Sequence, residues 1–168
     1  LTHPADPTVR AATPEDFEGW CALHEAVAGE GRWIGAELPL DRDSQHAHFD
    51  EVLADPASAY FLATEAALVV GYIRVRVASY GVADIGMAVA ADSRGQGVGG
   101  ALLTTAVDWA REHGAHKVAL QLWPHNTAAQ ALYEKFGFVV EGRLRRHYPR
   151  RNGELWDAII MGLPLTTP

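Results

Sequence analysis

The chain has 168 residues, 48% of them apolar and 21% charged, with a formal charge of −7. This composition excludes a disordered or fibrous chain and fits one folded unit with room for a core. The acid excess argues against non-specific nucleic-acid or membrane-surface binding, no apolar run reaches bilayer length, and a single cysteine, Cys21, excludes an intrachain disulfide framework.

Residues 1–8, with Pro4 and Pro7, read as a loose arm. No basic segment followed by an apolar one is visible at the start, so a cytoplasmic protein is the expectation. A short strand is expected over Val9–Ala11. Thr13 followed by Pro14, Glu15 and Asp16 combines a capping oxygen, a first-turn proline and early acids, which marks a helix start. That helix runs to about Ala28 and carries Cys21, read as a small buried hydrophobe. A second helix is expected over Asp43–Leu53. Strands follow over Ala59–Ala66 and Ala67–Ala78. In the latter Tyr72, Arg74 and Arg76 share one face and Ile73, Val75 and Val77 the other, the alternation of a strand with one face on a core. Tyr80–Gly81 reads as a turn and Val82–Val89 as the next strand.

A glycine-rich segment, Arg94 to Gly100, leads into a helix with apolar positions Leu102, Leu103, Ala106, Val107 and Ala110, which ends near His113–Gly114. Lys117–Leu122 reads as a strand and Asn126–Phe136 as a short helix stopped by Gly137. Phe138–Tyr148 and Leu155–Leu163 are strands around Arg151-Asn152-Gly153, a hairpin signal. The order β-α-α-β-β-β-α-β-α-β-β gives one α/β domain over 9–163, with 164–168 a short tail. Arg143, Arg145, Arg146, Arg150 and Arg151 read first as the solvated face of that hairpin, and second as a site for phosphates or an acidic partner.

The glycine-rich segment carries the most chemistry. Gly95, Gly97, Gly99 and Gly100 clear the approach to a helix start, where unpaired N–H groups and the helix dipole form an anion site that suits a pyrophosphate. Arg94 would add positive charge at its mouth. The Lys-Ser/Thr end of a P-loop is absent, and Gly95-x-Gly97-x-Gly99 has the wrong spacing for a dinucleotide fingerprint.

Arg94-x-x-Gly97-x-Gly99 resembles the Gln/Arg-x-x-Gly-x-Gly/Ala signature of the GNAT superfamily of acetyltransferases. Asn126-x-x-Ala129-x-x-Leu132-Tyr133-Glu134-Lys135-Phe136-Gly137-Phe138 is similar to that family's helix after the fifth strand. The resemblance is clear over 82–163 and rests on element order alone over 9–78. Glu141-Gly142-Arg143, Asn152-Gly153 and Asp157-x-x-x-Met161 look like the branch with polyamine, amino-acid and ribosomal-protein N-terminal acetyltransferases. The resemblance implies a central mixed, mostly antiparallel sheet of six to seven strands flanked by about four helices. It also implies acetyl-CoA as cofactor, direct attack through a tetrahedral intermediate and a homodimer.

By the same resemblance, Tyr133 protonates the departing sulfur, as its unperturbed pKa suits an acid better than a base. Met87 supplies a backbone N–H for the oxyanion, and Asp84 is the candidate proton acceptor. The cofactor falls to Met87, Ala88, Val89, Arg94, Gly95, Gln96, Gly97, Val98, Gly99, Gly100, Asn126, Ala129 and Tyr133, with Asn126 equally a helix cap. Glu30, Trp33, Tyr148 and Trp156 are the acceptor-side candidates, in the 29–40 loop and the 144–156 hairpin, with core packing the rival reading for Trp156. His125 is a further candidate base, with a cap or solvent role favoured. No His, Cys or carboxylate spacing marks a metal site. The expected acceptor is the primary amine of a small molecule: an amino acid, a polyamine or an amine-bearing antibiotic. The alternatives are a protein or peptide N-terminus, or a non-catalytic acetyl-CoA sensor.

Overall fold

The structure is a computed structural model that describes residues 7–165. Residues 1–6 and 166–168, most of the expected arm and tail, lie outside the described residues. Thr8 already belongs to the first strand and Pro164 still to the last. The strands are β1 (Thr8–Ala11), β2 (Ser58–Glu65), β3 (Leu68–Val77), β4 (Val82–Val89), β5 (Lys117–Leu122), β6 (Val139–Pro149) and β7 (Leu155–Pro164). The helices are α1 (Phe17–Gly29), α2 (Arg42–Ala54), α3 (Val98–Glu112) and α4 (Thr127–Lys135).

Helix starts follow from local chemistry. A 3-10 turn at Pro14–Asp16 precedes α1, with Thr13 and Asp16 forming a capping box that satisfies the first free N–H groups. Asp41 caps α2 by accepting from the N–H groups of Asp43 and Ser44. Asn126 caps α4 through the N–H of Ala129.

The seven strands form one sheet in the order β1-β2-β3-β4-β5-β7-β6, antiparallel throughout except for β4 beside β5. Helices cover both of its faces. On one, α3 packs Leu102, Leu103 and Ala106 onto Ile73, Val75 and Val118. On the other, α1 and α2 pack Trp20, Val27 and Phe49 onto Tyr60, Leu62 and Tyr72. Each large apolar side chain buried in this way contributes about 1.5–3 kcal/mol. The alternation in β3 therefore does not separate a core face from a wet face. Tyr72 joins one core and Ile73 the other, because α1 and α2 cover the face that its arginines suggested was solvated. Gly71 lets α3 lie close on β3: a Cβ there would meet Leu102 Cδ1 and Val98 Cγ1 at 2.9 Å.

Candidate active site

The β4–β5 ladder is short. Val82, Ala83 and Asp84 pair with Lys117, Val118 and Ala119, and there the pairing stops. Residues 85–89 of β4 remain paired to β3 alone. Ala90 donates its N–H to Val70 on the β3 side. N–H groups alternate along a strand, so those of Gly86 and Ala88 also turn to β3, and those of Met87 and Val89 turn into the gap left by β5. A cavity of 890 Å³ occupies this gap and reaches both faces of the sheet.

On the α3 face the cavity is lined by Met87, Val89, Arg94, Gly95, Gly97, Gly99 and Gly100, and by Asn126, Ala129 and Tyr133 of the α4 segment. Gly95 and Gly97 have φ of +74° and +87°, a conformation that favours glycine, and a Cβ on either would meet nothing within 4 Å. Gly97 is the N-cap of α3 and no side chain caps that helix, so its first N–H groups keep their donor capacity. Room beside a glycine loop, free helix-start donors and an unpaired strand edge fit a chain carrying a pyrophosphate. Gly99 serves packing instead: its Cβ would lie 3.0 Å from Leu132 Cδ2, so α3 and α4 approach closely there. Val98, the first residue of α3, is buried in the core, and Gln96 turns outward to bond the carbonyl of Asp92. Neither lines the cavity.

Arg94 is not the free cation expected at the mouth. Its Nη1 and Nη2 donate to Glu30 at 2.8 and 2.6 Å, and its Nε donates to the carbonyl of Val89. Glu30 also accepts from Trp33 Nε1 at 2.6 Å. The Arg94 hydrogen bond is the chief cause holding the Glu30 carboxyl below its ordinary pKa. Glu30 therefore ties the 29–40 loop to the glycine loop, and its carboxylate does not line the cavity.

Tyr133 is buried beside Phe138, with ring centroids 5.6 Å apart, and burial pushes its phenol up to about 12. Its hydroxyl has no protein hydrogen-bond partner among the described residues, yet the residue lines the cavity. Such a phenol stays protonated at neutral pH and serves as a donor.

The opposite half is built by residues far apart in sequence. Trp20 and His24 of α1 stack at 4.9 Å, and His24 Nδ1 lies 2.7 Å from the Tyr72 hydroxyl. Burial lowers the His24 pKa, with Glu25 opposing and His48 adding to the effect. Burial raises the Tyr72 phenol far above its ordinary value. Trp33, Trp123 and Tyr148 complete the aromatic wall, and Tyr148 donates to Gln121 Oε1 at 2.5 Å.

Two arginines enter this half. Arg74 is paired through Nη2 with Asp84 Oδ2 at 2.9 Å. Arg150 is only 7% exposed, so the hairpin arginines are not one solvated face. Its guanidinium lies 4.4 Å from the Trp156 ring and 5.2 Å from the Trp123 ring, and its Nη1 donates to the carbonyl of Gly35. Its Nε lies 3.6 Å from Glu37 and has no hydrogen-bond partner. Among the described residues no Asp or Glu lines the cavity.

Several expected residues thus sit elsewhere. The Asp84 side chain is 61% exposed, outside the cavity lining and engaged by Arg74. Trp156 packs behind the wall, edge-on to Trp123 and donating to Glu154. His125 is tied to the carbonyl of Arg32 and steadies the 29–40 loop. Cys21 is buried. Among the described residues no group of three or more His, Cys, Asp or Glu could hold a metal ion, and no helix is long and apolar enough to cross a membrane. Sequence reading missed Trp20, His24, Tyr72 and Arg74 as site residues, and held Arg150 only as one of five hairpin arginines whose second reading was a site for phosphates or an acidic partner. The signals were the four-residue spacing of Trp20 and His24 on α1 and the shared face of Tyr72 and Arg74 on β3.

Known proteins share this fold. The pattern of the Acetyltransferase (GNAT) family matches residues 20–138. A Bacillus subtilis (strain 168) protein, named as a candidate ribosomal protein bS18-alanine N-acetyltransferase, is 31% identical over 123 residues, 73% of this chain and 78% of that protein. The L-methionine sulfoximine/L-methionine sulfone acetyltransferase of Pseudomonas aeruginosa (strain PAO1) is 26% identical over 147 residues, 82% of this chain and 83% of that protein. A Salmonella typhimurium structure solved with its cofactor acetyl-CoA superposes with a TM-score of 0.86 at 21% identity, covering 98% of this chain and 96% of that one. The match over residues 20–138, with the glycine loop, the splayed strand and the α4 tyrosine all inside that span, makes this chain a member of the acetyltransferase (GNAT) family.

Proposed function

We propose that the protein is an acetyl-CoA-dependent N-acetyltransferase whose acceptor is the primary amine of a small molecule that also carries an acidic group, an amino acid above all. The carrying observation is the charge of the acceptor half, where Arg74 and Arg150 line an aromatic cavity and, among the described residues, no carboxylate does. Arg74 commits only Nη2 to Asp84 and keeps Nη1 free to donate to a carboxylate, whereas a polyamine or aminoglycoside would find no carboxylate in the cavity lining to hold its further cations. The amino-acid acetyltransferase among the relatives agrees with this reading.

Bound acetyl-CoA supplies a thioester-activated acetyl group. The free N–H groups at the start of α3 and in the glycine loop would hold its pyrophosphate, and the gap-facing edge of β4 at Met87 and Val89 its pantetheine arm. The Met87 N–H, fixed by the β3 ladder, is suited to stabilise charge on a carbonyl oxygen without reorganising. Tyr133 would give its proton to the leaving sulfur. A homodimer rests on the family resemblance alone, and sedimentation reads it.

The test is thiol release from acetyl-CoA with amino acids, polyamines, aminoglycosides and short peptides. The expected outcome is turnover on an amino acid, lowered about 100-fold in kcat by Tyr133→Phe with acetyl-CoA affinity kept. Arg74→Gln should raise the KM for the amine about tenfold, since an ionic hydrogen bond contributes about 1.5–3 kcal/mol. Turnover confined to peptides would point instead to a protein N-terminus, the acceptor in the name of the Bacillus relative.

A further inference from the structure

A proton acceptor is missing from the site as described. The acceptor's amine is an ammonium at neutral pH and must lose a proton to attack. Asp84, the carboxylate that sequence reading favoured, is engaged by Arg74 outside the cavity lining. We propose that His24 takes this proton on Nε2 while Tyr72 holds its Nδ1, an assignment that rests on the N-acetyltransferase reading above.

Four observations carry it. His24, Tyr72, Met87 and Ala88 line one cavity, so the imidazole and the free edge of β4 share an enclosure. Tyr72 lies directly opposite Ala88 in the β3–β4 register, which puts the His24–Tyr72 pair beside the strand segment that borders the reacting carbonyl in this mechanism. His24 Nδ1 sits 2.7 Å from the Tyr72 hydroxyl, and the ring is stacked on Trp20, so its orientation is fixed from two sides. Nε2 has no protein partner among the described residues.

The proton count follows from the pair. Tyr72 is buried too deeply to ionise and remains a hydroxyl. For this role the ring takes the tautomer in which Nδ1–H donates to the Tyr72 oxygen, which leaves the lone pair on Nε2. One amine proton moves to Nε2, the imidazole becomes imidazolium, and that proton leaves to water before the next turnover; the second nitrogen proton, lost as the tetrahedral intermediate collapses, replaces through water the one that Tyr133 gives to sulfur. Groups facing His24 are Glu25 on its own helix, His48 from α2 and Tyr72 from β3. Arg42 lies 3.8 Å from Glu25 and offsets its charge. Burial outweighs the pull of Glu25 and lowers the His24 pKa, so the ring is neutral and able to accept at pH 7. Activity should fall as pH drops through that lowered value.

The experiment measures kcat/KM for the amine against pH in the wild type, His24→Gln and His24→Ala, beside acetyl-CoA affinity by calorimetry. The expected result is a loss of about 100-fold in kcat/KM in both variants, the size of a positioned acid–base group. Acetyl-CoA affinity should stay within about twofold. The acidic limb of the profile should vanish in His24→Gln, and added imidazole should restore part of the activity of His24→Ala. A merely structural role would produce neither change. Wild-type turnover with variants that keep the acidic limb, or that imidazole does not rescue, would overturn the assignment and leave the proposed function standing. A wild type silent on every amine would overturn the proposed function and this assignment together.

Discussion

Asp16 shows how one side chain sets a local structure and a pH response at once. It closes the capping box ahead of α1 by accepting from the Thr13 N–H at 2.7 Å, and it takes both terminal nitrogens of Arg10 at 2.7 Å. The Arg10 hydrogen bond is the chief cause that holds its carboxyl at about 2 instead of 3.8. The folded value is the depressed one, so its stabilisation is fully present above the unfolded value near 3.8 and is lost as pH falls towards 2. The Arg10 side chain is 44% exposed, and screening reduces the gain to on the order of 1 kcal/mol. Asp16→Asn should therefore cost about that much in urea unfolding at pH 7, with the difference from wild type closing at the acidic end of the range. A cost that stayed constant with pH would place the effect in the cap and not in the ion pair. The cap itself was legible in Thr13-Pro14-Glu15-Asp16; its partner Arg10 was not, because it reaches back from β1 by tertiary contact.

Elements were legible wherever a residue type marks their ends. Pro14, Asn126 and Gly137 all stand at helix boundaries in the structure, and the turn at Asn152-Gly153 carries the positive φ expected of Gly153; sequence reading missed Asp41, the cap of α2, and that helix starts at Arg42 instead of Asp43. The β2–β3 hairpin is the exception. Its turn is Ala66-Ala67, with φ of +47° and +67°, so the sequence offers no Gly, Asn or Asp to announce it. Two alanines hold a left-handed conformation here because the register of Glu65 with Leu68 leaves two residues to reverse the chain. Each costs about 1 kcal/mol relative to a residue that adopts that conformation freely. Replacing the pair by Asn-Gly should raise the melting temperature by about 4–8 °C, at about 2–4 °C per kcal/mol for a chain of this size. Calorimetry reads the shift, and thiol release should be unaltered because the turn does not line the cavity. A lowered melting temperature would mean that the alanine methyl groups pack better than the backbone argument allows.

At the scale of the whole molecule, the two halves of the cavity differ in how they are encoded. The donor half lies within residues 85–133, a continuous segment whose glycine spacing and helix pattern announce it. The acceptor half draws on α1, α2, β3, β5 and the β6–β7 hairpin, so no local pattern contains it, and Arg150 and His24 enter only through packing. The global charge separates the halves further. A net charge of −7 repels an anionic donor at long range. The nearest cation of the glycine loop, Arg94, is already neutralised by Glu30. Affinity for acetyl-CoA must then come mainly from uncharged backbone N–H groups at the start of α3. Added salt screens the long-range repulsion and takes little from such donors. The dissociation constant measured by calorimetry should therefore stay level or fall as sodium chloride rises from about 50 to about 500 mM, where a cation-lined phosphate site would weaken steeply. A steep rise would mean that Arg94 leaves Glu30 to meet the pyrophosphate. Glu30→Gln should then tighten binding at low salt, because the carboxylate that competes for the guanidinium would be gone.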